Sequence, residues 1–461
     1  MSNYDVVVIG SGPGGYVSAI RASQLGMKVA LVEKENLGGV CLNWGCIPTK
    51  ALLKNADVIH TLSEGKAYGF SFENLSVDYG AAHKRSRQVA NRQSKGVAFL
   101  MRKNKITVVE GTAKLKSATQ IEIQPSGETL TAKNIIIATG AKPRMIPGVT
   151  ADGEKIVTYR HALDLKEAPQ SAVIVGAGPI GMEFATVWNR YGADVTVVEM
   201  LPRVLPLEDE DISKEATRHF KKAGIALKTG AMVKTIAATP DGVKVTIATG
   251  DTEEVVSVEK VLVAIGFAPN SENLGLEEVG VALTKHGHIE VDDQMRTSVP
   301  NIFAIGDVTG KLGLAHVASA QGIIAAEVLA GKETHTLNYT NIPRCVYSYP
   351  EVASVGLTEA QAKEQGFDVI TAQFPFLPNG KALAMNENIG FVKIVANKEY
   401  KEILGVHIIG AHVTELIAGP AGMLTVEATA EDLSQTVHPH PTMSEAIMEA
   451  AHVLVGMPIH I

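Results

Sequence analysis

The sequence predicts an α/β chain of several domains: two parallel-sheet units that repeat one another, followed by a smaller α+β unit. Three observations carry this: an internal repeat, a length of 461 residues, and a C-terminal quarter that lacks the repeat's glycine turn. At roughly 150 residues per domain the length allows about three domains. Hydrophobic residues are 46% and charged residues 20%, ordinary globular values that exclude a disordered or fibrous chain. The 43 glycines exceed the usual share of about 7% and direct attention to tight turns around a ligand.

The repeat comes first. One copy reads Asp5-Val6-Val7-Val8-Ile9-Gly10-Ser11-Gly12-Pro13-Gly14-Gly15, continues through a helical stretch and returns as Val29-Ala30-Leu31-Val32-Glu33. The other reads Ala172-Val173-Ile174-Val175-Gly176-Ala177-Gly178-Pro179-Ile180-Gly181 and returns as Val195-Thr196-Val197-Val198-Glu199. In both, the glutamate lies 23 positions after the first glycine. A lone G-x-G-x-x-G is weak, but here a strand precedes each turn, a helix follows, and an acid closes the second strand. Such a turn lets backbone approach a pyrophosphate at a helix N-terminus, and the acid accepts from ribose hydroxyls. The reading is two Rossmann-like units, with Gly10, Gly12, Gly15 and Glu33 in one site and Gly176, Gly178, Gly181 and Glu199 in the other. Glu199 would repel a 2′-phosphate, and Met200, Leu201 and Pro202 come before the first arginine, Arg203. NAD is therefore expected rather than NADP.

The remaining elements follow in order. Residues 84–105 alternate cations with Ala, Val and Leu as a helix with a solvated basic face. Residues 135–140 and 261–266 read as strands ending at small-residue turns, and residues 143–147 as a linker into the second unit. A third region begins after Asn270 and a fourth near Pro343. The fourth has strands at 390–395 and 403–409 and helical sequence over 415–430, a separate α+β domain.

A net charge of −7 argues against nucleic acid as a partner. No apolar run reaches the ~18 residues of a membrane helix, so no membrane association is expected. Because the chain enters a strand-like run at once, no leader is expected. Three cysteines are too few for a disulfide-stapled secreted scaffold, and a reducing, cytoplasmic setting is expected. Cys345 stands alone and reads as a buried small apolar residue.

Cys41 and Cys46 lie in Gly38-Gly39-Val40-Cys41-Leu42-Asn43-Trp44-Gly45-Cys46-Ile47-Pro48-Thr49-Lys50. In a regular helix such positions are turned about 140° apart, whereas a disulfide needs Cα atoms within ~7 Å. A bridge thus requires a distorted turn, which Gly45 and Pro48 would permit. As a metal site the pair lacks two ligands, and no metal is expected. Two buried thiols are the plain alternative to a redox-active dithiol beside a dinucleotide site.

The string GGVCLNWGCIPTK after a G-x-G-x-x-G unit resembles the two-cysteine pyridine nucleotide–disulfide oxidoreductases, and further motifs extend the resemblance over essentially the whole chain. Ala304-Ile305-Gly306-Asp307 is similar to the motif whose aspartate binds the flavin ribityl chain. Leu314-Ala315-His316 resembles the segment lying along the flavin. Residues 349–359 resemble the entry to the family's dimerisation domain. The resemblance implies an FAD-binding domain at 1–146, an NAD-binding domain at 147–269, a central domain completing the FAD site at 270–341 and a dimerisation domain at 342–461. It implies a redox-active Cys41–Cys46 disulfide, with His440 as acid/base oriented by Glu445 in His438-Pro439-His440-Pro441-Thr442-Met443-Ser444-Glu445. From the residues alone, that string is equally a surface histidine cluster. Further cofactor contacts are implied at Lys50, Ala113, Thr139, Gly140, Ile180, Glu183, Val233 and Gly266, with Lys50 pairing with Glu183 near the flavin.

Within the family, Glu199 stands where glutathione-type reductases carry arginines for NADPH. Residues 455–461 hold no vicinal cysteine pair of the mercuric reductase kind and no redox extension of the large thioredoxin reductase kind. Flavin transhydrogenases of this lineage lack the cysteine pair. The wording fits best the members that oxidise dihydrolipoamide and reduce NAD⁺. Trp44 and Gln321 depart from the common pattern, replacing a small aliphatic residue and a glutamate. The implied partners are a second copy of the chain and a lipoylated carrier or acyltransferase core of a 2-oxo acid dehydrogenase complex or glycine cleavage system. No lipoyl-like domain is expected before the first strand, and the lipoyl group is expected on another protein. The alternatives are an NADH-dependent reductase of another disulfide and a non-enzymatic flavoprotein scaffold or NAD(H) sensor. A scaffold needs none of Cys41, Cys46, His440 and Glu445.

Overall fold

A computed structural model describes residues 2–461. The chain forms two compact units. One runs to Ala51 and resumes over Ala81–Arg144 and Gly266–Leu337; the other comprises Leu52–Gly80, Met145–Ile265 and Asn338–Ile461.

The first unit is built on a seven-stranded sheet. Ser2–Ile9 lies at its centre, parallel to Val29–Glu33 on one side and to Glu128–Ile137 on the other, with Thr107–Glu110 beyond Val29–Glu33. Ile302–Ala304 pairs in parallel with the end of Glu128–Ile137, while Gln120–Gln124 and Thr112–Ser117 continue antiparallel from its beginning. Val6, Val7, Val8 and Ile9 are all buried, as expected of a strand covered on both faces. Val7 and Ile9 join one core cluster and Val6 and Val8 another, so the period of two survives inside a continuous apolar run. Helix Pro13–Gln24 starts on Gly12 with proline in its first turn, where the missing N–H costs nothing. It packs on helix Ala315–Leu329 through small residues. A Cβ on Gly322 would come within 2.7 Å of the Gly14 carbonyl oxygen.

The second unit holds a five-stranded all-parallel sheet in the order Ala226–Thr229, Asp194–Glu199, Ser171–Val175, Lys260–Val263, Ile156–Val157. An antiparallel meander of Ala231–Thr239, Gly242–Thr249 and Thr252–Val258 accompanies it. The C-terminal part is an antiparallel sheet in the order Arg344–Val346, Glu351–Gly356, Ile403–Gly410, Phe391–Asn397, Val369–Pro375. Helix Glu445–Leu454 packs against it, burying Ala446, Ile447, Ala450 and Ala451.

The basic stretch forms part of helix Tyr79–Lys103, which buries Ala82, Ala90, Val97 and Met101 and exposes Lys84, Arg92 and Lys95. Three readings differ from the structure. The expected linker begins inside a short ribbon, since Ala141–Pro143 pairs with Phe267–Pro269. The helical stretch at 415–430 is broken into Val413–Leu416, Ala418–Thr425 and the start of Ala430–Gln435. Glu427 takes φ 54°, which ends the second of these, and Thr429 caps the third together with Asp432. Cys345 is half-buried rather than buried, because it sits on the edge strand Arg344–Val346. Among the described residues, no helix is long and apolar enough to cross a membrane.

Candidate active site

In the first unit, Gly10 takes φ +97°, and a Cβ there would overlap the Ala138 carbonyl oxygen. A Cβ on Gly15 would overlap the carbonyl oxygen of Gly10, so this glycine lets helix Pro13–Gln24 sit directly on its strand. Gly12 has nothing within 4 Å of that position, which leaves its face of the turn open to a ligand. Glu33 accepts the Ser11 N–H at 2.9 Å and the Ser11 hydroxyl at 2.5 Å, while its other oxygen accepts the Glu35 N–H. The carboxylate that sequence assigned to ribose thus also braces the turn. Gly15→Ala is expected to lower the melting temperature by several degrees, as overpacking by about 1–3 kcal/mol does, and to yield protein with little bound nucleotide. Thermal melting and the cofactor released on denaturation check both.

The dithiol segment rests on this turn. Gly38 takes φ +95° and donates its N–H to Ser11, and a Cβ on Gly39 would lie 2.7 Å from the Gly12 Cα. Helix Gly39–Trp44 then ends at Gly45, whose φ −142° and ψ −116° break the path, and helix Cys46–Ser63 begins. The break brings the Cys41 and Cys46 Cα atoms to 4.7 Å, and the two sulfurs are bonded. The distortion falls at Gly45, as the spacing required, while Pro48 sits buried inside the new helix. Thr49 donates to the Gly45 carbonyl, Asn43 to those of Leu37 and Gly39, and Arg87 to that of Asn43. Both cysteines are half-buried. Tyr16, Leu42, Gln93, Val97, Phe99 and Leu100 line a mainly apolar crevice of about 340 Å³, which reaches the dithiol segment at Leu42.

Asp307 lies in the turn Gly306–Thr309, and burial pushes its carboxyl above the ordinary range despite His288 nearby. Gly306, at φ +74°, donates its N–H to the Gln321 side-chain oxygen at 2.6 Å. Leu314 caps helix Ala315–Leu329, placing Ala315 and His316 in its first turn. Thr139 and Asn270 exchange hydrogen bonds beside Gly140 at φ +68°. Gly266, at φ +106°, accepts the Arg144 N–H. The Ala113 side chain is packed in the core, so only its backbone is available to a ligand. Lys50 lies one turn into helix Cys46–Ser63.

In the second unit the turn is repeated almost atom for atom. Gly176 takes φ +106°, a Cβ on Gly181 would overlap the Gly176 carbonyl oxygen, and Gly178 has nothing within 4 Å. Glu199 accepts the Ala177 N–H at 2.7 Å and the Leu201 N–H at 2.9 Å. Ile180 lies in the first turn of helix Pro179–Arg190. Arg203 bends onto its own loop, donating to the Pro206 and Glu208 carbonyls. Glu183 is buried and accepts the Tyr347 N–H at 3.0 Å. Val233 belongs to the core under the meander, contributing packing more than chemistry.

His440 is open, its side chain 79% exposed, and its Nδ1 lies 2.8 Å from Glu445. The other Glu445 oxygen accepts the Thr442 N–H at 2.8 Å. Burial raises the Glu445 carboxyl, but the Thr442 N–H and His440 outweigh it and leave it below the ordinary range. A carboxylate fixed on Nδ1 leaves Nε2 as the atom presented to solvent for proton transfer. His438 instead uses its Nδ1 on the Thr436 carbonyl. Sequence reasoning missed Ser11, Gly38, Gly39 and the crevice residues. The paired glycines were a signal for close approach, whereas the crevice joins three separate elements and leaves no local pattern.

A dithiol mounted on one nucleotide turn, in a chain that repeats that turn, defines a nucleotide-dependent disulfide oxidoreductase. Residues 4–322 match the pyridine nucleotide-disulphide oxidoreductase family and residues 342–451 its dimerisation domain; the chain belongs to this family. Curated relatives similar over their full length are the dihydrolipoyl dehydrogenases of Mycobacterium tuberculosis (50% identity, 99% of each chain), Corynebacterium glutamicum (48%, 98% of each) and Bacillus subtilis (45%, 100% of this chain and 99% of that one). Solved structures with the same fold include LpdA from Mycobacterium tuberculosis, with TM-score 0.91 and 29% identity, and the HOCl-induced flavoprotein disulfide reductase RclA from Escherichia coli, with 0.87 and 27%. Each covers 98% of this chain and 100% of its own.

Proposed function

We propose that the chain oxidises a protein-bound dihydrolipoyl group to the cyclic disulfide and passes the two electrons to NAD⁺, as a homodimer. The observation that carries the reading is the Cys41–Cys46 bond at a helix break seated on the first glycine turn, in a chain half identical to dihydrolipoyl dehydrogenases. The first turn fits FAD, because the open face of Gly12 and the Glu33 carboxylate match a pyrophosphate and a ribose, with Asp307, Thr139 and Gly140 in the same unit. FAD bound there supplies the two-electron carrier between the dithiol and the nicotinamide. Glu199 and the engaged Arg203 favour NAD over NADP. A reducing, cytoplasmic setting suits a disulfide that must be reduced in every turnover.

The chemistry of the chain's own groups is thiol–disulfide exchange. His440 takes a proton from a substrate thiol, because the attacking species must be a thiolate. The thiolate bonds to the Cys41 sulfur, the Cys41–Cys46 bond breaks, and Cys46 leaves as a thiolate. The second substrate sulfur then bonds to the first and expels Cys41, which leaves as a thiol carrying the second substrate proton. Substrate is oxidised by two electrons and the protein disulfide is reduced by two. In a dimer His440 and Glu445 serve the site of the other subunit, so a monomer lacks a complete site. The domain assignments at 1–146, 147–269, 270–341 and 342–461 belong to the same reading.

The test is NAD⁺ reduction by purified protein with dihydrolipoamide, beside glutathione and NADPH controls, with Cys46→Ser as the blank. Fast NADH formation from dihydrolipoamide alone is expected. An FAD-loaded protein that ignores dihydrolipoamide but oxidises NADH with another disulfide overturns the substrate and keeps the family.

A further inference from the structure

Lys393 lies on strand Phe391–Asn397 of the C-terminal sheet, its side chain 2% exposed. Its ammonium meets three carboxylates, Asp209 at 2.9 Å, Asp211 at 2.7 Å and Glu359 at 2.8 Å. An ammonium has three donors, so each is used, and these acids outweigh burial and raise the lysine's pKa. The acids come from two places in the chain. Glu359 opens helix Glu359–Glu364 beside the C-terminal sheet, whereas Asp209 and Asp211 open helix Glu210–Lys222, which follows the second nucleotide turn. Asp209 also accepts the Glu359 N–H at 3.2 Å. Its neighbour Glu208, equally buried, accepts the Ser354 hydroxyl at 2.6 Å and faces Arg344 at 3.8 Å. His407 is wholly buried close by, with Nε2 on the Leu357 carbonyl.

Residues 208–211 are thus pinned to the C-terminal sheet. The loop that ends there begins at Glu199, and in its middle Leu205, buried at φ +46°, donates its N–H to the Ala177 carbonyl at 2.9 Å. Ala177 is the residue whose own N–H Glu199 holds. Arg203 ties the loop to the Glu208 carbonyl. Residues 199–209 are therefore strung between two anchors, the glycine turn and the Lys393 cluster.

We infer that Lys393 is a positioning residue for the pyridine nucleotide: through Asp209 and Asp211 it holds the loop that keeps Glu199 and the Gly176–Gly181 turn in register for binding. The inference rests on the reading that this turn takes NAD(H). One lysine balances three acids, so its removal leaves like charges facing each other around the buried Asp209, and Asp209 and Asp211 belong to the end of the loop.

The test uses the FAD-loaded dimer and three measurements: NADH affinity by fluorescence titration, flavin reduction by dihydrolipoamide in a single turnover, and melting temperature. Lys393→Met is expected to weaken NADH and raise the KM for NAD⁺ about ten-fold, with flavin reduction by the dithiol within about two-fold. Lys393→Arg restores most of the affinity. If Lys393→Met does not fold, Asp211→Asn, which leaves the lysine two carboxylates, is expected to weaken NADH about two- to three-fold. Unchanged NADH affinity in folded Lys393→Met, or equal losses in both measurements, overturns the inference. A wild type that binds NADH but ignores dihydrolipoamide overturns the proposed substrate alone, because the affinity comparison needs no dithiol.

Discussion

Cys41→Ser is expected to remove dihydrolipoamide oxidation by about 10³-fold or more, while NADH still reduces the bound flavin at nearly the wild-type rate. The size follows from the chemistry. A serine oxygen offers no disulfide for a substrate thiolate to attack, and losing a group that makes and breaks bonds costs orders of magnitude rather than factors. The selectivity follows from placement. Cys41 and Cys46 sit on the Gly39–Trp44 and Cys46–Ser63 helices, held by Asn43, Thr49 and Arg87 rather than by the bridge alone. The segment should keep its seat on Gly12 without the sulfur. The steady-state rate with dihydrolipoamide and NAD⁺, set beside NADH oxidation by an artificial one-electron acceptor, separates the two. Parallel loss of both rates would mean that the bridge holds the nucleotide turn together, and the dithiol would then be structural. Cys46→Ser gives the same loss of dihydrolipoamide turnover, because a lone Cys41 thiol cannot accept two electrons as a disulfide.

The nucleotide turns were legible because their physics is local. A strand, three glycines and an acid at a fixed offset are all present in one stretch, and Gly15 and Gly181 do the same steric work in both copies. The dithiol was legible for a related reason: two cysteines five residues apart have few other uses once a helix-breaking glycine stands between them. What escaped depends on contacts between distant residues. Gln321 accepts from Gly306 across fifteen positions, so its departure from the common glutamate was visible while its task was not. Lys393 was less legible still, since a lysine within an apolar strand reads as a solvent-facing position, and Asp209 lies 184 residues away. The broken helices after residue 413 show the converse error. Apolar periodicity persists through Gly419, Pro420 and Gly422, but backbone conformation at Glu427 ends the run regardless of which side chains face the core.

His440→Gln is expected to lower the rate with dihydrolipoamide by about 10²- to 10⁴-fold, the range that a positioned general base contributes, and to leave NADH oxidation by an artificial acceptor unchanged. Glu445→Gln is expected to cost less, because the amide still reaches Nδ1 but no longer favours the imidazolium that forms when the thiol proton arrives. The sign in pH is fixed by the same pair. The Glu445 carboxyl lies below its ordinary range, so it is ionised throughout a neutral assay, and its support for protonated His440 is present above that depressed value and lost as pH falls through it. Glu445→Gln removes the negative charge that faces the imidazolium formed on proton transfer. The acidic limb of kcat/KM should therefore move to lower pH in Glu445→Gln even as the maximum falls. A limb that stays in place would assign the ionisation to another group, the substrate thiol being the first to examine. His438→Gln is the control. Its Nδ1 is already committed to the Thr436 carbonyl, so a large loss there would move the base by two residues, and an unchanged profile leaves it on His440.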